Sequence, residues 1–193
     1  MAIVTISGTP GSGKSTLGRL LAKRLGYAYH SIGELRRRFA AEKGVTIAEL
    51  NRRSAAGEED TDTAFDRFLA SLGGQDRIVV DARLGFHFLP HSIKLFVDAD
   101  ERVRAERLLA RESIAERAAT LAEAVRMNRE RIASDQERYR KYYNLDPFRP
   151  EQYDLVLDSA RKSPEELVEE VVTRFFTRTR GDAPRPGMKN QET

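Results

Sequence analysis

No cysteine occurs in the 193 residues, so neither a disulfide framework nor a thiolate metal site is available. No stretch is long and apolar enough to cross a bilayer. The first hydrophobic run, Ala2-Ile3-Val4-Thr5-Ile6, is short and leads through Ser7 into a glycine-rich stretch. A secretion signal is therefore not expected, and the cytoplasm is the expected compartment. No internal repeat is visible. The body of the chain also lacks an excess of either charge. The net charge is +3, and Arg174, Arg178, Arg180, Arg185 and Lys189 against Asp182 and Glu192 account for all of it. The basic pI belongs to that tail, so neither a nucleic-acid nor a membrane partner is expected. Pro184, Pro186 and Gly187 mark residues 181–193 as a disordered end. What precedes them is long enough for one domain with a proper core, and a monomer is expected.

What the chain does have is Gly8-Thr9-Pro10-Gly11-Ser12-Gly13-Lys14-Ser15. A β-branched run precedes it, and Leu17, Leu20, Leu21 and Leu25 follow at helical spacing. Strand, glycine loop and helix are the context that makes G-x-x-x-x-G-K-S/T a phosphate-binding P-loop. The glycines let backbone approach an anion, and the turn aims N–H groups and the positive end of the helix dipole at one phosphate. Residues Gly8 to Thr16 are thus the expected nucleotide cradle. Lys14 can reach the β- and γ-phosphates of ATP, and the Ser15 hydroxyl can sit on Mg²⁺.

The remaining pattern alternates strands and helices. Strands are expected at 27–30, 78–81, 93–97 and 154–158. Helices are expected over 31–40, 46–56, 61–72 and 100–111, over a charged stretch from about 114 to 143 with a possible break near 133–134, and over 163–177. Ser31 with Glu34, Thr46 with Glu49, and Ser163-Pro164 with Glu166 are helix-start signals. The fold expected is α/β: a five-stranded parallel sheet flanked by helices, with ligands along the carboxyl ends of the strands. It forms a single domain over 1–180, with small excursions at 31–73 and 111–140.

Asp81 ends a continuous apolar strand, where a carboxylate can hold Mg²⁺ or its water near Ser15. A signalling GTPase is disfavoured, because Asp81-Ala82-Arg83-Leu84 is not DxxG and NKxD is absent. Arginines are plentiful: Arg36, Arg37, Arg38, Arg83, Arg107, Arg111, Arg129, Arg131 and Arg138. Phosphoryl transfer between two nucleotides needs several converging on one cleft. Arg104, Arg117 and Arg126 read as surface residues. His87 reads as a structural or solvated loop residue, and the Tyr139, Tyr142 and Tyr143 group as helix packing.

Four segments resemble the archaeal-type cytidylate kinases of the P-loop nucleoside monophosphate kinase family. Ser31-Ile32-Gly33-Glu34-Leu35-Arg36-Arg37 is similar to that family's S-x-G-D/E-x-x-R monophosphate-binding segment. Val79-Val80-Asp81-Ala82-Arg83-Leu84-Gly85 resembles its strand followed by G-R-L, with Ala82 in place of the glycine and Phe86-His87 in place of a small residue and tryptophan. Glu106-Arg107-Leu108-Leu109-Ala110-Arg111 resembles its lid-opening R-x-x-x-R. Residues 137–146, 153–158 and 163–166 resemble its carboxyl third. The resemblance implies a monophosphate-binding segment at 31–73 and a lid at 111–140. It implies that Arg37 binds the acceptor phosphate, Arg83 the acceptor nucleotide, Arg107 the donor adenine, and Arg111, Arg129 and Arg131 the transferring phosphates. The activity implied is ATP-dependent phosphorylation of a nucleoside monophosphate, CMP or dCMP first. An adenylate or uridylate kinase-like enzyme, another small-molecule kinase, or a nucleotide-gated RNA- or protein-binding module stay open. The paired aspartates of shikimate-type kinases and the Gly-Phe-Pro-Arg-like segment of adenylate kinases are missing. The mixed charges of 123–135 do not form a phosphate-backbone stripe.

Overall fold

A computed structural model describes residues 2–55, 61–110 and 118–177. Five strands form one parallel sheet: β1 (Ile3–Gly8), β2 (Ala28–Ser31), β3 (Ile78–Asp81), β4 (Ile93–Asp98) and β5 (Leu155–Asp158), in the order β2-β3-β1-β4-β5. The expected sheet is therefore present. Its register pairs Ile6 and Ser31 with Asp81, and Gly8 with Val97. Gly8, Ser31, Asp81 and Asp98 consequently end on one rim.

The helices are α1 (Lys14–Leu25), α2 (Ile32–Glu42), α3 (Ile47–Ala55), α4 (Thr61–Ser71), a short α5 (Gly85–Phe88), α6 (Glu101–Leu109), α7 (Leu121–Tyr143) and α8 (Pro164–Phe175). Single 3₁₀ turns follow α4 at Leu72–Gly74 and precede β5 at Pro150–Gln152. One face of the sheet, with Val4, Ile6, Val79, Leu95 and Val97, is buried under Leu17 and Leu21 of α1 and Leu167, Val168 and Val171 of α8. The other presents Ile78, Val80 and Ala82 to Leu69, Leu72 and Leu89. Covering both faces is what lets the central strands be continuously apolar. Each such leucine contributes about 1.5–3 kcal/mol. At the edge, β5 alternates, with Leu155 and Leu157 buried and Val156 exposed. Among the described residues no helix is long and apolar enough to cross a membrane.

The expected helix-start caps are observed. Ser31, Thr46 and Ser163 Oγ atoms accept from the backbone N–H of Glu34, Glu49 and Glu166, and Gly26 ends α1 at φ 67°. At Ser31 the reciprocal half is missing, because the Glu34 carboxylate pairs with Arg19 instead.

The long charged stretch differs from expectation. Residues 118–120 are not helical, and α7 begins at Leu121 under a full capping box of Thr120 and Glu123. That T-x-x-E signal lies in the sequence and outranks the weak apolar period before it. The helix also continues unbroken through Ala133 and Ser134, closing only at Asn144, which has φ 53°. The expected start near 114, and residues 111–117 of the expected lid, lie outside the described residues, as does the tail 181–193. A turn of helix, α5, lies between the strands expected at 78–81 and 93–97, where no element was expected. The last helix ends at Phe175 rather than Thr177.

Candidate active site

The loop between β1 and α1 is held in a conformation that its glycines make possible. Gly8 has φ 145°, and a Cβ there would overlap the Val97 carbonyl. Gly11 has φ 86°, and its Cβ would stand 2.6 Å from the Arg104 carbonyl oxygen. Both positions are closed to side chains by conformation and by the wall of α6 and β4 behind them. Within the loop, Ser12 Oγ donates to the Thr9 carbonyl at 2.8 Å, and Lys14 Nζ donates to the same oxygen at 2.9 Å. Thr9 Oγ1 donates to Asp98 at 2.6 Å. The cradle is thus tied to β4 before any ligand arrives.

The expected pair at the helix start is present. Ser15 Oγ donates to Asp81 Oδ2 at 2.6 Å, and the Tyr29 hydroxyl donates to the same oxygen at 3.1 Å. Asp81 is only 6% exposed. Burial, reinforced by the Asp81 charge, pushes the Tyr29 hydroxyl up to about 12, so it stays a donor throughout the physiological range. Serine hydroxyl and carboxylate are the hard oxygen donors that suit Mg²⁺. Among the described residues no group of three or more histidines or carboxylates could cage a metal alone. A cation held by Ser15 and Asp81 would leave the rest of its shell open to phosphate oxygens and water.

On the α6 side, Arg107 donates to Ser159 Oγ at 2.9 Å and to the Ser159 carbonyl at 2.7 Å. Ser159 Oγ in turn donates to the Ser12 carbonyl at 2.7 Å. Arg107 is thereby fixed beside the loop. Arg104 is not the surface residue its sequence context suggested. Its side chain is 11% exposed, its Nε lies 3.9 Å from Asp98, and Nε and Nη1 are buried without hydrogen-bond partners. It lies one turn before Arg107 on the same helix face, and that spacing was the available signal. Arg126 is on the surface with Glu130, while Arg117 lies outside the described residues.

Helix α7 reaches the loop through Asn128, which is 3% exposed. Its Nδ2 donates to the Pro10 carbonyl at 3.2 Å, and its Oδ1 is buried without a partner. Nothing in the sequence marked this residue. Asn128→Ala is expected to raise the KM for ATP about three- to tenfold, the scale of one hydrogen bond, with the KM for the acceptor nearly unchanged. Steady-state kinetics with each substrate varied in turn check this.

A second cluster lies across the rim. Arg83 donates to the Gly8 carbonyl at 3.2 Å and pairs with Asp135 of α7 at 2.9 Å. Asp135 also meets Arg138 at 3.3 Å, and Arg138 meets Asp62 of α4 at 3.5 Å. Arg36 of α2 pairs with Asp62 at 2.6 Å. All five side chains are largely buried. Burial pushes the Asp62 carboxyl up, but Arg138 and Arg36 outweigh it and hold it below the usual value. Beside this cluster the Tyr143 hydroxyl donates to Asp66 at 2.5 Å. Burial raises both groups, so the tyrosine serves as packing between α7 and α4. His87 meets Phe88 and Tyr143 edge-on.

Of the sequence-expected residues, the structure brings Lys14, Ser15, Asp81, Arg83 and Arg107 around the loop. Arg37 is exposed on α2, and its Nη1 lies beside Gly33. Arg129 is not gathered in: its side chain is 69% exposed and forms a two-bond pair with Glu101, both at 2.6 Å. Arg131 is on the exposed side of α7, and Arg111 lies outside the described residues. Sequence reasoning left out Asp62 and Asp135, which join Arg36 and Arg138, named there only among the plentiful arginines, by pairings up to 76 positions apart that no local spacing encodes.

A sequence model of the cytidylate kinase-like family matches residues 3–161. The chain is similar to a cytidylate kinase of Methanothrix thermoacetophila, 37% identical over 159 residues that span 82% of this chain and 89% of the relative. A cytidylate kinase of Natronomonas pharaonis is 39% identical over 166 residues, 84% and 83% of the two chains. Among solved structures, a shikimate kinase of Bacteroides thetaiotaomicron superposes with a TM-score of 0.61 over 90% of this chain and 97% of that one, at 16% identity. That likeness is one of fold.

Proposed function

The chain belongs to the cytidylate kinase-like family, and from that premise we propose that it moves the γ-phosphoryl group of ATP to CMP or dCMP, giving CDP or dCDP. The observation that carries this reading is the pairing of two anion-seeking walls on one rim. One is the P-loop with Ser15 on Asp81. The other is the guanidinium cluster joined to that loop by Arg83 on the Gly8 carbonyl.

In this reading, backbone N–H groups of residues 11–16 and the Lys14 ammonium hold the β- and γ-phosphates. Ser15 and Asp81 would hold Mg²⁺, which would neutralise charge on those phosphates. Arg107, fixed by Ser159, lies against the adenine. Arg83 and Arg37 take the acceptor's phosphate and place one of its oxygens in line with the γ-phosphorus. As the new P–O bond forms, the bond to the β-γ bridging oxygen breaks and ADP leaves. No residue is acylated or phosphorylated. The barrier falls through positioning and charge, and α7 keeps water from becoming the acceptor. The test is ADP release across a panel of nucleoside and deoxynucleoside monophosphates. CMP and dCMP should give the highest kcat/KM, and a maximum at AMP or UMP would contradict the cytidylate reading.

A further inference from the structure

The guanidinium cluster is held twice. Arg36, Arg83 and Arg138 pair with carboxylates, and each also lies over an aromatic ring: Phe65 at 4.9 Å, Phe148 at 5.2 Å and Tyr139 at 4.7 Å. Stacking of this kind fixes a guanidinium plane independently of its counter-ion.

The two carboxylates are not equivalent. Asp62 is well anchored: it accepts from Arg36 at 2.6 Å and is also hydrogen-bonded by Ser54. Asp135 is less well satisfied. Its Oδ2 contacts Arg83 as an ion pair but is buried and accepts no aligned hydrogen bond, and its Oδ1 receives Arg138 at 3.3 Å. An anion with better hydrogen-bond geometry and a second charge can therefore compete with Asp135 for these guanidiniums, the cost being that of freeing a buried carboxylate. Asp135 bridges two guanidiniums, Arg83 and Arg138, and a phosphate monoester dianion has the charge and the oxygens to bridge the same two.

We infer that Asp135 is a place-holder for the acceptor's phosphate. In the substrate-free enzyme it neutralises Arg83 and Arg138, and the incoming monoester exchanges with it on those guanidiniums, while Asp62 stays as the anchor that keeps Arg36 and Arg138 in place. This rests on the acceptor site lying at the guanidinium cluster, as the proposed function has it. Asp135 is a positioning residue. It sets how strongly the site takes a monophosphate and keeps the empty cluster from collecting other anions.

The probe is inorganic phosphate, titrated calorimetrically into the full chain with the P-loop filled by saturating Mg²⁺ and a non-transferring methylene analogue of ATP. Wild type should bind phosphate weakly, and CMP should displace it. Asp135→Asn should bind phosphate about tenfold more tightly, or about 1.4 kcal/mol, whereas Asp62→Asn should bind it more weakly. A purely structural role for Asp135 predicts the opposite sign, so unchanged or weaker binding in a folded Asp135→Asn variant overturns the inference. A second reading uses the unmodified chain. The carboxyl ¹³C resonance of Asp135 should move on saturation with CMP while that of Asp62 stays; a stationary Asp135 signal overturns the exchange. The two levels separate cleanly. Phosphate that CMP cannot displace removes the acceptor-site assignment and the exchange with it, whereas displaceable phosphate without tightening in Asp135→Asn removes only the exchange.

Discussion

The Lys14→Ala variant is expected to lose about three orders of magnitude in kcat, the upper scale for removing one preorganised cation from developing transition-state charge. The ammonium rests on the Thr9 carbonyl at 2.9 Å, inside the curl of the loop. That oxygen also receives Ser12 Oγ, so the loop keeps an internal tie when the lysine is gone. Folding stability should fall by about 1 kcal/mol or less, the net worth of one such hydrogen bond. Turnover at saturating ATP and CMP, read beside thermal unfolding, checks both parts. A variant that keeps a tenth or more of wild-type kcat would remove Lys14 from the transition state.

Arg83→Ala has the second largest expected effect, and it falls on the other substrate. The KM for CMP should rise by more than about tenfold, the scale of a charge-assisted hydrogen-bond pair, while the KM for ATP changes by less than about threefold. The substitution also leaves Asp135 buried with Arg138 alone, and breaking a buried pair from one side is expected to cost about 3–5 kcal/mol of stability. These two consequences can be separated. Removing the stranded charge in an Arg83→Ala, Asp135→Asn double variant should restore stability but not the affinity for CMP. A KM effect confined to ATP would move Arg83 to the donor side.

The sequence carried the donor half of this account almost completely. Glycine, lysine and serine at fixed offsets between a β-branched strand and an apolar-periodic helix specify the loop locally. Asp81 was legible because it ends an otherwise continuous apolar strand; Asp98 ends β4 in the same way, yet its bond to Thr9 Oγ1 was not foreseen. The acceptor half was legible only in part, for a physical reason. Arg83, Asp135, Arg138, Asp62 and Arg36 meet through tertiary contacts between α2, α4, α7 and the end of β3, and a helix sequence of mixed charges reads the same whether its partners are solvent or another helix. Asp135 seemed part of a solvated alternation and proves buried; Arg129 seemed part of the site and instead pairs with Glu101 on the surface. Asn128 carried no signal at all, since a buried amide on a polar helix face has no period. The start of α7 was encoded by Thr120 and Glu123, but the charge-rich residues before it resemble helix just as well.

The central claim is that the phosphoryl group leaves a triphosphate on the P-loop and lands on a monophosphate held by arginines, with water shut out. The most direct measurement is the fate of γ-³²P from ATP in the presence of CMP. The account predicts label in CDP with inorganic phosphate at background. Label that accumulates as inorganic phosphate, at a rate indifferent to CMP, would contradict it.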